Sequence, residues 1–209
     1  MSEQPASKRG RPGYDQRAIL EIAVDAFNEF GYDATSMGVL ASRLSLSKSA
    51  IYHHFDSKEE LLELALNEAL DALEGVLQDK ESQTGRAIDR LAHVLRGAVE
   101  VLAARLPFVT LLLRVRGNTV VERQALERRR AFDRAVSGLV VEARDEGSLR
   151  SDIDPRIVTR LLFGMVNSIA EWYRPEGAED PAHLADDVLA VALDGLRMPT
   201  MNRVEDLTP

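Results

Sequence analysis

The chain is predicted to be all-α, and three observations carry that expectation. Apolar residues recur at three- and four-residue spacing along almost the whole length, no useful stretch alternates apolar and polar residues, and helix-start signals stand before most apolar stripes. Asp15 precedes a stripe of Ile19, Leu20, Ala23, Phe27 and Phe30 that stops at Gly31, a residue that accepts a left-handed ending. Two short helical pieces follow, near 36–43 and 47–54. Ser57 and Glu60 form a reciprocal capping box for a long helix whose buried positions are Leu61, Leu62, Ala65, Leu66, Ala69 and Leu73.

A break from Ser82 to Gly85 opens a helix with the stripe Ile88, Leu91, Leu95, Val99, Leu102 and Leu106, which Pro107 interrupts. A short apolar segment, Phe108 to Arg116, stops at Gly117. Thr119 and Glu122 then make a second capping box, for a helix reaching Gly147. Asp154-Pro155 and Asp180-Pro181 each set proline at a first helical position behind an aspartate cap, starting the last two helices. The expected total is nine helices, with a frayed tail after Arg197 and no internal repeat of 20 to 50 residues.

Composition removes several classes of function. With no cysteine, a disulfide scaffold, a zinc ribbon, an iron–sulfur protein and a thiol enzyme are excluded. The 45% hydrophobic and 29% charged content is that of a globular chain able to bury a core. No window approaches the ~18 consecutive apolar residues of a membrane helix, and the N-terminal residues lack an apolar signal core, so a cytoplasmic protein without membrane contact is expected. The net charge of −8 speaks against nucleic acid at first sight. It is segregated, however: residues 1–58 hold seven Lys or Arg against seven Asp or Glu, and residues 59–209 hold nineteen against twenty-seven.

Residues 35–58, TSMGVLASRLSLSKSAIYHHFDSK, form two short helices joined by about four residues, too small to bury a core alone. In a helix-turn-helix the second helix enters the major groove, so it should be short, start on a small cap and carry small polar residues. Ser47 is such a cap, Lys48, Ser49 and Ala50 form a first turn able to approach base edges, and Leu46 and Ile51 face inward. Tyr52, His53, His54 and Lys58 are placed to hydrogen-bond phosphates.

The string SKSAIYHHFDSKEEL, preceded by an amphipathic helix ending in FGYDATS, closely resembles the DNA-binding domain of tetracycline-repressor-type (TetR family) regulators over residues 14–64. The resemblance implies a nine-helix dimer whose two recognition helices read a palindromic double-stranded operator, released when a small molecule binds the second domain. Carried over by position, Lys48, Ser49 and Ala50 face bases, and Thr35, Ser36, Ser47, Tyr52, His53, His54 and Lys58 hold phosphates. Two departures stand out. Ser45 occupies the inter-helix turn where the family commonly has glycine, at a cost of about 1 kcal/mol if that residue is left-handed. Gly38 and Val39 stand where an acidic residue often completes the first helix's capping box.

Upstream, Lys8-Arg9-Gly10-Arg11-Pro12-Gly13 resembles an Arg-Gly-Arg-Pro core that lies in A/T minor grooves; a solvated tail is the other reading of Arg9 and Arg11. The implied organisation is a basic arm at 1–13, a helix-turn-helix domain at 14–58, a ligand-binding and dimerisation domain at 59–198 and a tail at 199–209.

The second domain offers no catalytic constellation. His53 and His54 are about 100° apart on one helix and cannot chelate together, His93 and His183 are isolated, and no phosphate loop or nucleophile elbow occurs, so neither a metal, a cofactor nor an enzyme is expected. The helix at 155–173 is apolar on two faces; with Leu184, Val188, Leu189, Val191, Ala192, Leu193 and Leu196 of the final helix, one face suits a four-helix self-interface. Along 119–146, Arg129 falls within the apolar stripe and Arg128 at its edge. An arginine there needs an anionic partner: either an internal acid such as Glu171, or an anionic ligand with an apolar body, assisted by Arg114 and Arg116. The stretches LPFVTLLLRVRGNTVVERQALERRR and LLFGMVNSIAEWYRPEG resemble ligand domains of actinobacterial TetR-type repressors of phenylacetate and acyl-CoA catabolism. That resemblance implies an acyl-coenzyme A effector such as phenylacetyl-CoA; the candidate ligand contacts are Phe108, Leu112, Arg116, Arg128, Arg129, Phe132, Met165, Asn167 and Trp172. The alternative left open is a ligand-independent dimeric DNA-binding or architectural protein.

Overall fold

In the computed structural model, which describes residues 15–194, the chain is helical throughout and no strand occurs among the described residues. Among the described residues there are ten α-helices: α1 Gln16–Phe30, α2 Met37–Leu44, α3 Lys48–Tyr52, α4 Lys58–Gln78, α5 Lys80–Gln83, α6 Ala87–Ala104, α7 Leu106–Arg114, α8 Val120–Asp145, α9 Pro155–Trp172 and α10 Pro181–Leu189, followed by a π-helical turn, Ala190–Asp194. The basic arm with Arg9 and Arg11, Leu196 and the tail lie outside the described residues.

The expected nine helices become ten because the break after α4 folds into α5. Ser82, buried, donates from its hydroxyl to the Val76 carbonyl at 2.5 Å, and the Gln83 amide donates to that of Leu77. Both carbonyls belong to the end of α4, where helical partners run out, so the side chains of α5 terminate α4 and hold the next turn against it.

Two compact units are present, one comprising residues up to Ala72 with Arg105–Ala131, the other Leu73–Ala104 with residues from Phe132 on. Compactness therefore groups α7 and the first half of α8 with the short helices, whereas the expected functional division runs at residue 58. In the first unit, Ile19, Ala23, Leu40, Ile51, Leu61 and Leu62 are completely buried. The α1 end is fastened to α7: Asn28 Nδ2 donates to the Pro107 carbonyl at 2.8 Å, and Arg114 Nη1 donates to the Asn28 carbonyl at 2.7 Å. In the second unit α6 packs on α5, α9 and α10, and Leu91, Leu95, Val99, Val166, Ile169 and Ala185 are buried there, as are Val136 and Ala143 of α8. The first turn of α6 has a remote cap, Glu146 Oε2 accepting from the Ala87 amide at 3.0 Å.

Both expected capping boxes form by halves. Ser57 Oγ accepts from the Glu60 amide at 3.0 Å and Thr119 Oγ1 from the Glu122 amide at 3.1 Å. The returning carboxylates bond elsewhere: Glu60 to the Asp56 amide, and Glu122 to the amides of Arg116, Gly117 and Asn118. Asp154 caps α9 through the Arg156 amide at 2.8 Å, with the Arg156 guanidinium holding its carboxyl below the usual range, whereas Asp180 makes no side-chain cap on α10.

Candidate nucleic-acid interface and ligand cleft

Helix α2 starts on Ser36, whose hydroxyl accepts from the Val39 amide at 3.2 Å. It ends on Ser45 at φ 54° and ψ 36°, where the Leu46 amide reaches back to the Ala41 carbonyl at 3.0 Å. This left-handed residue makes the turn that starts α3. Ser47 caps α3, accepting from the Ala50 amide at 3.1 Å and sharing a 2.8 Å hydroxyl contact with Ser49. Beneath the pair, Leu40, Leu44, Ile51 and Phe55 are buried. Apolar packing thus fixes α3 from below and leaves its other face to solvent.

That face carries most of the residues expected on DNA. Ser36, Ser47, Lys48, Ser49, Tyr52 and His53 are exposed, and Ala50, His54 and Lys58 are half-buried. The His53 and His54 rings meet edge to face at 5.5 Å. Two residues are committed inward. Thr35 is completely buried, its hydroxyl 2.8 Å from the Gly31 carbonyl and 3.3 Å from that of Ala26, so it secures the exit from α1. Lys58 donates from Nζ to the Tyr32 carbonyl at 2.8 Å and lies 4.0 Å from the centre of the Tyr32 ring, whose phenol is pushed up chiefly by burial. A phosphate role for either side chain requires exchanging these bonds.

Two features of this surface escaped sequence reasoning. Phe30, expected on the buried stripe, is 49% exposed, with the Arg43 guanidinium over its ring and Glu29 holding that guanidinium at 2.5 Å. Gln16 reaches across to donate to the His54 carbonyl at 3.3 Å. Both pairings join residues far apart in the chain, which no local pattern encodes.

The residues expected to hold a ligand divide between the units. In the first, Phe108 and Leu112 are buried on α7, with the Arg17 guanidinium 5.0 Å from the Phe108 ring, and Arg116 is exposed. Arg128 bonds Asn67 Oδ1 at 2.7 Å and Asp71 at 2.5 Å, both on α4. Arg129 is half-buried, and its side chain makes no hydrogen bond or ion pair among the described residues. In the second unit, Phe132 is buried edge-on to Phe163 at 5.5 Å, Asn167 is half-buried, and Trp172 is 50% exposed. Met165 lines a cleft of about 370 Å³ together with Val140, Leu149, Ile153, Val158, Leu161 and Leu193, with Arg144 and Arg150 also on its wall. Those two arginines are paired with Asp145 and Asp152. None of the other eight expected ligand contacts lines that cleft.

Helix α9 separates its two apolar faces. Thr159, Leu162, Val166, Ile169 and the following Tyr173 are buried. On the other side Ile157 is 45%, Leu161 65% and Trp172 50% exposed, at helical spacing with Gly164 and Ser168 between them. Ile157, Leu161 and Trp172 thus leave large apolar side chains uncovered along four turns of α9.

A short capped helix with a solvated polar face, seated on a buried apolar base after a left-handed turn, defines a helix-turn-helix DNA-binding regulator. The chain belongs to the TetR family: residues 19–65 match the bacterial regulatory proteins of the tetR family, and residues 84–196 match the tetracyclin repressor-like C-terminal domain. It is 28% identical over 202 residues to the transcriptional repressor KstR2 of Rhodococcus jostii strain RHA1, covering 95% of this chain and 99% of that one. A TetR-family regulator from Streptomyces coelicolor A3 superposes with a TM-score of 0.83 at 51% identity, over 86% of this chain and 91% of the other. AibR, solved with isovaleryl coenzyme A and operator DNA, superposes with a TM-score of 0.71 at 25% identity, covering 85% and 97%. No helix among the described residues is long and apolar enough to cross a membrane.

Proposed function

We propose that this chain is a cytoplasmic homodimeric repressor that holds a palindromic operator and is released from it by an acyl-coenzyme A. The observation that carries the reading is the exposed face of α3, where Lys48, Ser49, Tyr52 and His53 stand free of the core that fixes their helix. Residues 14–58 bind DNA, with Ser49 and Ala50 toward the groove and Ser36, Ser47, Tyr52, His53 and His54 toward phosphates. Residues 59–198 bind the effector and dimerise. The uncovered face of α9 and the last helix supplies the self-interface, which sets the spacing of the two recognition helices.

Support for the effector class comes from arginine placement and from a relative. Arg129 on an apolar stripe lacks an acid among the described residues, Arg116 is exposed nearby in sequence, and AibR was solved with isovaleryl coenzyme A. A coenzyme A ester joins an anionic nucleotide end to an apolar acyl end, the two chemistries that Arg116 and Arg129 on one side and Phe108 and Leu112 on the other can meet. Calorimetry of the purified protein with phenylacetyl-CoA, a fatty acyl-CoA and free coenzyme A tests this: heat with an ester and its release from operator DNA is expected, and no heat with any of them ends the effector reading.

The basic arm adds a sequence-tolerant grip through Arg9 and Arg11 in the minor groove. Deleting residues 1–12 is expected to weaken operator binding and to lower its dependence on salt; an unchanged salt slope in a filter-binding titration would show the arm to be a solvated tail.

A further inference from the structure

We propose that Gly38 is a positioning residue that makes Lys48 a clamp on the DNA backbone instead of a reader of base edges; the inference rests on the operator-binding reading above. Lys48 is the first residue of α3, where sequence position alone aims it into the groove. The structure turns its side chain the other way. A Cβ added at Gly38 would lie 3.0 Å from Lys48 Cε, 3.3 Å from Nζ and 3.5 Å from Ser36 Oγ. The lysine therefore lies back across the first turn of α2, in the space that an ordinary side chain would fill, with its ammonium near the start of that helix.

Room, and not attraction, sets this placement. The Lys48 side chain makes no hydrogen bond or ion pair among the described residues, and the amide end of α2 does not draw a cation. Nor does the backbone require glycine at this position: the glycines with positive φ are Gly31, Gly85, Gly117 and Gly147, and Gly38 lies within α2. Glycine inside a helix is unfavourable relative to alanine, so what it supplies here is the vacant volume. An ammonium is a point charge with three donors on a flexible stem, suited to a phosphate oxygen. Stationed beside Ser36, it meets the strand that α2 crosses, while Ser49 and Ala50 remain facing the bases.

The test uses duplexes selected from a random pool by the unaltered full-length chain, titrated at several salt concentrations. Lys48→Ala is expected to weaken binding by one common factor across duplexes in which each half-site base pair is changed in turn, with the logarithmic salt slope falling by about 0.9, the loss of one phosphate contact. Gly38→Leu, which fills the volume that the lysine stem occupies where alanine would only nudge the flexible stem, is expected to keep the thermal midpoint, to weaken binding, and to render a further Lys48→Ala nearly silent. Additive effects of the two substitutions, or a Lys48→Ala effect confined to one base pair, would overturn the proposal. If the unaltered chain selects no duplex, the operator-binding reading itself falls and takes this inference with it, an outcome separable from the others because it needs no variant.

Discussion

Ser45 is the residue at which local conformation and function conflict most directly. It is the non-glycine with positive φ among the described residues, at 54°, and a Cβ in that region costs roughly 1–2 kcal/mol. The turn has to be left-handed because α3 must leave α2 with the Leu46 amide folded back on Ala41. Ser45→Gly is expected to raise stability by about 1 kcal/mol in urea unfolding, with helix content unchanged. Gly97 poses the opposite case. A Cβ there would stand 2.5 Å and 2.9 Å from the two methyl carbons of Val76, so Gly97→Ala is expected to destabilise by about 1–3 kcal/mol despite its better helix propensity. Adding Val76→Ala should restore much of the loss, read as a non-additive pair in the same unfolding experiment. Sequence marked Ser45 as an anomaly because the turn has a known chemistry. It was silent on Gly97, whose reason lies in a residue on another helix.

Helices show the same division between starts and partners. The local halves of the capping boxes at Ser57 and Thr119 form as their spacing dictates, since a hydroxyl three residues upstream reaches the amide whatever surrounds it. Where the carboxylates go depends on the chain's path before the helix. Glu122, 5% exposed, gathers three consecutive amides at 2.7 to 3.0 Å and so closes the loop between α7 and α8. Glu122→Ala is expected to cost about 2 kcal/mol, since three loop amides lose the charged acceptor they share. Glu122→Gln, which keeps an acceptor oxygen, should cost less, and hydrogen exchange at residues 116–118 reports the loop directly. Glu146, capping α6 from 59 residues away, has no counterpart in any local motif.

At the scale of the whole molecule, the exposed stripe of α9 and the segregated charge bear on assembly and on DNA. Leu161 is 65% exposed on a helix whose opposite face is buried, so Leu161→Glu should leave the fold intact and divide the protein into monomers by light scattering. Its operator binding should fall steeply, because two half-sites must then be held by separate chains. The chain's single tryptophan, Trp172, lies on the same stripe and gives a fluorescence reading of the change. An unchanged mass would place the self-interface elsewhere. The excess of eight acids resides wholly beyond residue 58, so residues 1–58 are neutral overall and their few cations act locally. An acidic remainder disfavours non-specific DNA and leaves specificity to paired, docked half-sites.

Periodicity and capping chemistry were enough to determine an all-α chain, nearly every helix start, the short pair at 36–54 and the residue types on its outer face. These are short-range properties, set within a few turns of backbone. Tertiary structure alone decided that Thr35 and Lys58 are tied inward, that Phe30 lies outside, that Arg128 finds Asp71, and that Lys48 rests in the space left by Gly38. Each depends on which distant residue occupies the neighbouring volume, and a side chain's direction is set by that packing once its helix is formed.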